Sequence, residues 1–187
     1  ASGVASVALG NRGSTDGKKG SFALGDNSTS AIMTSSADHE FSARFAGGYR
    51  LYSAYDLSAG LTMAAGGNAW DVISDSTKKE GFRPADGSEF LRKIARMRLG
   101  SWNYRGQDAR TMRHYGPMAQ DFHAAFGRDG VGVIGTDTTI NQADFDGVNL
   151  IAIKALIQEV ESLKAENQWL KTENATLGRE TASLRQD

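Results

Sequence analysis

The chain contains no cysteine, only two prolines and no excess of charge of either sign. The absence of cysteine excludes a disulfide framework, a cysteine-ligated zinc site and a cysteine nucleophile. Lys plus Arg number 21 against 22 for Asp plus Glu, and the balance holds in each part of the chain: 5 against 6 in residues 1–73, 11 against 10 in 74–149 and 5 against 6 in 150–187. No third of the chain therefore has the excess positive charge that binding to a phosphate backbone requires. No apolar run approaches the roughly 20 residues that span a bilayer. We therefore expect neither nucleic-acid binding nor membrane insertion.

Glycine is plentiful and unevenly placed, which divides the chain into three zones. Of the 22 glycines, eleven lie in residues 1–73, ten in 74–149 and one after that. We expect a Gly-rich β stem over 1–73, a small mixed α/β domain over 74–149 and a C-terminal coiled coil over 150–187. Because the sequence begins without Met or a leader-like segment, we also expect it to be the end of a longer protein.

The first zone contains a short repeat. Residues 6–10 read Ser-Val-Ala-Leu-Gly and residues 21–25 read Ser-Phe-Ala-Leu-Gly, a period of 15. A repeat this short cannot bury its apolar face alone, so it must stack on a neighbouring repeat or on another chain. Alternating apolar residues predict a strand within 40–46, and a further strand is predicted over 57–65. The alternative is that the two repeats are similar loops by coincidence.

The middle zone mixes helices and a short strand. The segment Asp86-Gly87-Ser88 offers N-cap residues, and with the apolar spacing that follows it predicts a helix over about 88–98. A second helix is predicted over 119–126, ending at Gly127, and 102–104 is a strand candidate. We interpret His39, His114 and His123 as structural, because no acidic residues are spaced to complete a metal site. A basic cluster in this zone is interpreted as a solvated surface with local acidic partners: Arg92, Lys93, Arg96, Arg98, Arg105, Arg110 and Arg113.

The last zone has the strongest pattern, a leucine at every seventh position. These are Leu156, Leu163, Leu170, Leu177 and Leu184, each preceded at three residues by Ile153, Val160, Asn167, Asn174 or Thr181. The spacing is that of the d and a positions of a coiled coil. Asn at a positions fixes register at a cost in stability, so we expect the rest of the chain to contribute to assembly. The alternative is one amphipathic helix lying on its own domain.

The charges beside this seam favour a parallel arrangement of identical chains. In a parallel coiled coil the g position of one chain meets the next e position of its neighbour. Here Glu159 would meet Lys164, Glu166 would meet Lys171, and Glu180 would meet Arg185. Each exposed pair contributes well under about 1 kcal/mol, so these pairs select the partner more than they hold it.

One pair of residues with catalytic chemistry stands where the Gly-rich zone ends. A serine hydroxyl becomes a nucleophile when a base takes its proton, and a lysine amine acts as that base when burial lowers its pKa. Ser74 and Lys79 are five residues apart, so the backbone must turn between them for the two side chains to meet. Without further context, the segment is much more readily interpreted as a solvated turn.

Several motifs together resemble the peptidase S74 domain, the C-terminal intramolecular chaperone of phage endosialidases and tail fibres. They are Ser74-Asp75 followed by Lys79-Glu80, residues 91–94, residues 102–104, the stretch His114–Phe122 with its Gly-x-x-Ala-Gln-Asp pattern, and a terminal helix. The resemblance covers 74 to about 187. The upstream Ala-Leu-Gly repeats resemble the heads of trimeric autotransporter adhesins, and 41–65 resembles the stem that precedes such a chaperone.

The resemblance implies a fold and a function. It implies an α+β fibrous homotrimer with an interchain β stem, in which the domain trimerises, directs folding of the upstream fibre and releases itself by autoproteolysis. By position, Ser74 is the nucleophile and Lys79 its base, with no cofactor or metal. The protein would belong to a virion tail fibre or a bacterial surface appendage. The family often has an arginine between Ser-Asp and Lys; here Lys78 supplies the cation, or cleavage is slow or absent.

The scissile bond has two candidates among Ile73, Ser74 and Asp75. The Ser74 hydroxyl reaches the Ile73 carbonyl through a five-membered ring, whereas its own carbonyl would require a strained four-membered ring. That chemistry favours the Ile73–Ser74 bond, and the family resemblance leaves the Ser74–Asp75 bond open.

Two other classes of protein are considered. One is a purely structural trimeric fibre or adhesin tip in which Ser74 performs no chemistry. The other is a leucine-zipper regulator, which would need a basic helix running into the heptads; residues 140–152 contain no Lys or Arg.

Overall fold

A computed structural model describes residues 1–185, which form two compact units, Ala1–Phe82 and Arg83 onwards. Ser74 and Lys79 both lie in the first unit. The architecture is mixed, with small sheets followed by helices and a long C-terminal helix. Within the described residues, no helix has the length and apolar content needed to cross a membrane.

The first unit is built of eight short strands separated by turns. They are β1 Val7–Gly10, β2 Gly13–Ser14, β3 Phe22–Gly25, β4 Met33–Thr34, β5 Phe41–Arg44, β6 Tyr49–Tyr52, β7 Gly60–Met63 and β8 Asp71–Val72. They pair as β1-β3-β5, β2-β4 and β6-β7-β8. The first two sheets are parallel and the third is antiparallel, so the unit is a parallel roll followed by a meander.

The predicted repeat stacks as expected, in register and within one chain. Strands β1 and β3 align Val7 with Phe22 and Leu9 with Leu24. Each strand of this stack forms one rung of the roll. The backbone requires glycine at the end of the first rung, β1: Gly10 has φ +79°, and a Cβ there would overlap the carbonyl oxygen of Gly25. The interchain part of the predicted stem remains a prediction.

A third rung, which the sequence pattern missed, continues the stack. Strand β5 pairs with β3, aligning Phe22 with Phe41, and the two rings stack at a centroid distance of 5.9 Å. This rung lies nineteen residues after the second rather than fifteen and ends in Arg44 instead of glycine. Both changes hide it from a search for a fixed period.

The roll carries its large apolar side chains on the outside. Val7, Leu9 and Phe41 are exposed, while the other face of the same sheet presents Ala23, which is fully buried. The buried polar residues are small and are Thr15, Ser21 and Ser35. A single chain therefore leaves uncovered the surface that would release most free energy on burial.

The third rung is fixed to the second by an ion pair. Asp26, which follows β3, accepts hydrogen bonds from the backbone N–H of Ala46 (2.6 Å), from the Ser28 hydroxyl (2.8 Å) and from Arg44 Nε (3.2 Å). Arg44 also donates to the carbonyl oxygen of Ala31. These donors, the Ala46 N–H first, lower the pKa of Asp26 from 3.8 to about 2.

The second unit has a small aromatic core. Its elements are α1 Gly87–Arg96, β9 Gly100–Trp102, β10 His114–Gly116, α2 Ala119–Phe126 and α3 Gln142–Leu184. Phe126 packs against Phe90 of α1 and Phe122 of α2, with ring centroids 5.0 and 5.3 Å apart. Phe145 of α3 contacts Phe122 at 5.8 Å. The three helices thus share one hydrophobic cluster.

The helix predictions differ from the structure at some ends. Helix α2 has the predicted bounds, and α1 begins as expected with Asp86 accepting from the N–H groups of Ser88 and Glu89. Helix α1 ends at Arg96, because Met97 is extended (φ −76°, ψ 138°). Arg98 lies beyond it and pairs with Asp121 of α2. The strand candidate over 102–104 lies two residues earlier, at Gly100–Trp102.

Helix α3 uses different faces at its two ends. Near its start, Ala152 and Ala155 are buried against α1, where a Cβ added to Gly87 would lie 2.6 Å from that of Ala155. Further on, the heptad leucines are exposed, from 43% for Leu170 to 78% for Leu184. The predicted coiled coil over 150–187 remains a prediction, and its residues 186–187 lie outside the described part of the chain.

The depressed pKa of Asp26 predicts an acid-sensitive first unit. Its ionised form is favoured by folding, so the contribution is complete above the usual carboxyl pKa and disappears as the pH falls through about 2. We expect the melting temperature of wild type to fall between about pH 4 and 2. Asp26→Asn should melt lower at neutral pH and vary less across that range.

Circular dichroism melting curves at a series of pH values measure this. The matched control is Asp38→Asn, which removes a carboxylate that accepts one backbone N–H, from Lys19. Parallel curves for wild type and Asp26→Asn would contradict the assignment.

Candidate active site

Strand β8 places Ser74 at the end of the third sheet. Val72 pairs with Leu61 and Asp71 with Thr62 of β7, and the N–H of Ile73 reaches the Gly60 carbonyl oxygen at 3.5 Å. Backbone pairing with β7 therefore extends to Ile73, the residue before the serine. Ile73 is half-buried and Ser74 is exposed.

A capped turn follows the serine and reverses the chain. Asp75 accepts hydrogen bonds from the N–H (2.9 Å) and hydroxyl (2.8 Å) of Thr77. One turn of 3-10 helix, Ser76–Lys78, comes next, closed by hydrogen bonds from the N–H of Lys78 to Asp75 O and from that of Lys79 to Ser76 O. Lys79 leaves the turn extended (φ −122°, ψ 148°). Asp in this position is a typical cap, because its short side chain reaches the backbone two residues on.

The turn brings the two predicted residues into direct contact. Lys79 Nζ lies 2.6 Å from Ser74 Oγ, which is hydrogen-bonding distance. A protonated lysine donates in this pair, and a neutral amine in the same position accepts the hydroxyl proton. Both side chains are exposed in the single chain. The geometry of a Ser-Lys dyad is therefore present, while the dry surroundings that favour a neutral amine are not.

Lys78, the residue before Lys79, lies near two carboxylates. The Thr77 N–H and hydroxyl lower the pKa of Asp75, with a smaller contribution from the charge of Lys78. The Ser58 hydroxyl and N–H lower the pKa of Asp56, and Lys78 again adds to the effect. Lys78 is thus near two carboxylates, on the turn itself and on the β6–β7 connection.

The structure gives a different environment to each of the three residues predicted to flank the scissile bond. Ile73 continues the sheet, Ser74 contacts the lysine, and Asp75 caps the turn. The sequence argument used Asp75 only as a neighbour of the scissile bond and missed its cap. The Asp-x-Thr spacing is the signal that identifies it.

The remaining candidates have structural partners. His114 stacks on Trp102 at 4.8 Å and approaches Gln107 Oε1 at 3.3 Å. In residues 1–185, no cluster of three or more His, Asp or Glu side chains is arranged to hold a metal ion. Members of the basic cluster have acidic partners nearby, as expected: Lys93 with Glu89, Arg98 with Asp121, and Arg110 with Asp108.

The zipper alternative lacks a basic helix in the structure as well. Helix α3 begins at Gln142, capped by the Asn141 side chain, and its first cationic residue is Lys154. The segment that leads into the heptads is instead packed in the second unit, through Phe145 and Ala152.

Comparison with protein families identifies the segment that contains the pair. Residues 74–131 match the family model Peptidase_S74, described as chaperone of endosialidase. The match begins at Ser74 and confirms the resemblance to the S74 chaperone domain over these residues. A search of curated proteins found no match to the chain.

The capped turn predicts how the pair responds to changes at Asp75. Asp75→Ala removes the acceptor for both Thr77 donors, so Lys79 should no longer be held against Ser74. Asp75→Asn keeps an acceptor oxygen in place. If the pair acts in self-cleavage, as proposed below, the alanine variant should lose most of it and the asparagine variant should retain it, measured as the fraction cut over time on a denaturing gel. Equal loss in both variants would mean that the charge of Asp75, rather than its cap, is required.

Proposed function

With residues 74–131 matching the chaperone of endosialidase family, we propose that this chain is a C-terminal intramolecular chaperone that cuts itself free. It trimerises, directs folding of an upstream fibre or spike, and then cleaves next to Ser74. The observation that carries the proposal is the 2.6 Å contact between Lys79 Nζ and Ser74 Oγ at the first residue of the family match.

The proposed reaction begins with an N-to-O acyl shift. Neutral Lys79 takes the proton of Ser74 Oγ, which attacks the carbonyl carbon of Ile73. The Ile73–Ser74 amide bond breaks, an ester forms between the same carbonyl and Oγ, and the proton passes to the leaving amine of Ser74. Water then hydrolyses the ester, which restores the hydroxyl and leaves a carboxylate on Ile73. The Ser74–Asp75 bond is the alternative that the family leaves open.

Assembly is proposed to switch the reaction on. Lys79 is exposed in one chain, and a lysine in water is protonated at neutral pH and cannot accept a proton. Walls supplied by neighbouring chains would exclude water and favour the neutral amine. The exposed apolar face of the roll and the exposed leucines of α3 support an assembly of identical chains. Cleavage would then follow correct trimerisation.

A helical seam suits a chaperone for a β fibre. Pairing among distant or separate strands nucleates slowly, and a slip of register exposes the wrong face. A coiled coil nucleates locally, aligns the chains in one register and raises the effective concentration of the strands that follow. After release, the fibre would be held by its barrier to unfolding. The family match supports a place in a phage-related tail appendage, with a bacterial surface fibre as the alternative.

The decisive experiment is a denaturing gel of freshly assembled wild type beside Ser74→Ala and Lys79→Ala. We expect wild type to give two bands and both variants to remain whole while still trimeric. Lys78→Ala is the matched control, since it removes a neighbouring lysine outside the dyad, and it should still cut. Mass spectrometry identifies the bond: a product starting at Ser74 supports the acyl shift, and one starting at Asp75 supports the other bond.

A wild type that stays whole as a trimer for days would contradict self-cleavage. It would favour the second candidate, a purely structural trimeric fibre tip. The exposure of both dyad side chains is the observation that favours that candidate.

The trimer itself is tested through the seam of α3. Leu163→Asp with Leu170→Asp places charges at two d positions, where burial without partners is strongly unfavourable. We expect monomer or aggregate and no cleavage. Glu166→Lys changes one exposed charge pair and should cost under about 1 kcal/mol. Sedimentation equilibrium measures the assembly. Equal damage from both changes would show that the seam is misassigned, whereas a dimer would keep the coiled coil and contradict the trimer implied by the family.

A further inference from the structure

Strand β8 has little to hold it in place. It is two residues long, it lies at the edge of the β6-β7-β8 sheet, and both Asp71 and Val72 are exposed. Yet it carries the acyl half of the proposed scissile bond, Ile73, and ends just before Ser74. Whatever fixes β8 on the sheet also fixes the carbonyl that the nucleophile must reach.

Trp70, the residue just before β8, provides such a contact. Its ring packs edge-on against Tyr49, with centroids 6.1 Å apart and planes at 66°. Tyr49 is the first residue of β6, on the far side of β7, where it pairs with Met63. The two rings therefore span the width of the sheet and join its first strand to its last.

Tyr49 also connects this sheet to the roll. Its hydroxyl donates to the carbonyl oxygen of Ala43 at 2.7 Å and accepts from the N–H of Phe45 at 3.2 Å. Its ring packs edge-on against that of Phe45 at 5.9 Å. Ala43 belongs to β5, the third rung. A continuous set of contacts thus runs from the roll, through Tyr49 and Trp70, to the strand that ends at Ser74.

We infer that Tyr49 and Trp70 are positioning residues for the cleavage reaction. The inference rests on the proposed function and concerns how the acyl group is held. Both residues act through β8: when the roll and the third sheet are folded, the rings hold Ile73 against Gly60 and fix the orientation of its carbonyl relative to Ser74 Oγ and Lys79. When either is unfolded, β8 is free and that orientation is lost, although the carbonyl stays bonded to Ser74. Cleavage therefore reports the folding of the stem as well as the assembly of chains.

The direct test compares cleavage rates of preassembled trimers. Trp70→Ala should lower the rate constant about tenfold or more, since small displacements of reacting groups cost large factors in rate. The cut should still go to completion, because the folded fraction remains competent. Trp70→Phe, which restores a ring, should recover most of the rate. Tyr49→Phe, which removes only the hydroxyl, should be slowed by a smaller factor.

The matched control is Tyr55→Ala. Tyr55 is an aromatic residue of the β6–β7 connection whose side chain is fully exposed, so its removal should leave the rate unchanged. The midpoint of the pH–rate profile should not move in Trp70→Ala, because Lys79 is untouched. A loss of final extent at an unchanged rate constant would indicate general misfolding and overturn the inference. An unchanged rate in Trp70→Ala, or an equal loss in Tyr55→Ala, would overturn it as well.

Hydrogen exchange separates this inference from the proposed function. In uncut trimers carrying Ser74→Ala, the amide of Ile73 should exchange faster when Trp70→Ala is added, and not when Tyr55→Ala is added. Equal exchange in all three would overturn the role of the rings even where wild type cuts. A wild type that never cuts would overturn the proposed function and, with it, the positioning role.

Discussion

A lysine amine can take a proton only while it is neutral, and in water near neutral pH it is not. This constraint governs the candidate site. A base must also lie within hydrogen-bonding distance of the hydroxyl, and the local chain meets this requirement by itself, because a short segment with its own cap brings Lys79 onto Ser74. The dry surroundings that favour a neutral amine are missing from the single chain, where both groups face solvent. Local structure thus brings the pair together, and in the proposed function its activation depends on other chains.

In both units, local contacts define the fold while large apolar side chains stay exposed. In the first unit, large apolar side chains lie outside a roll filled with small residues, and in the second, the leucines of α3 extend beyond the aromatic core. Each unit has enough internal contacts to define its fold: paired strands in one, a cluster of phenylalanines in the other. Neither buries its largest apolar surface. Exposed apolar surface of this kind is typical of interaction sites, which is consistent with the proposed assembly.

Much of this was predictable wherever the signal is local. The Ala-Leu-Gly rungs, the bounds of α2 and the cap of α1 follow from spacing and from residue types with one strong conformational preference. The meeting of Ser74 and Lys79 was predicted as conditional on a turn, and Asp75 supplies that turn. The third rung was missed because its spacing and last residue change, although its partners do not.

Contacts between distant residues were beyond the sequence pattern. The contact between Tyr49 and Trp70 joins residues far apart in the chain, and no periodic pattern in the sequence predicts it. The early start of α3 depends on Phe145 finding Phe122, and the early end of α1 leaves Arg98 free to pair with Asp121. In each case several similar side chains could have been the partner, and only the three-dimensional packing determines which one is.

The parallel register of the roll has a consequence for the length of the molecule. Each rung places the same backbone atoms above those of the rung before it, as Val7 over Phe22 and Phe22 over Phe41. An inserted or deleted repeat would therefore meet the same neighbours as the rung it joins or replaces. The length of the roll is therefore set by the number of repeats in the sequence. A change in that number would alter the distance between the first rung and the third sheet, and would leave the sheet and the capped turn themselves unchanged.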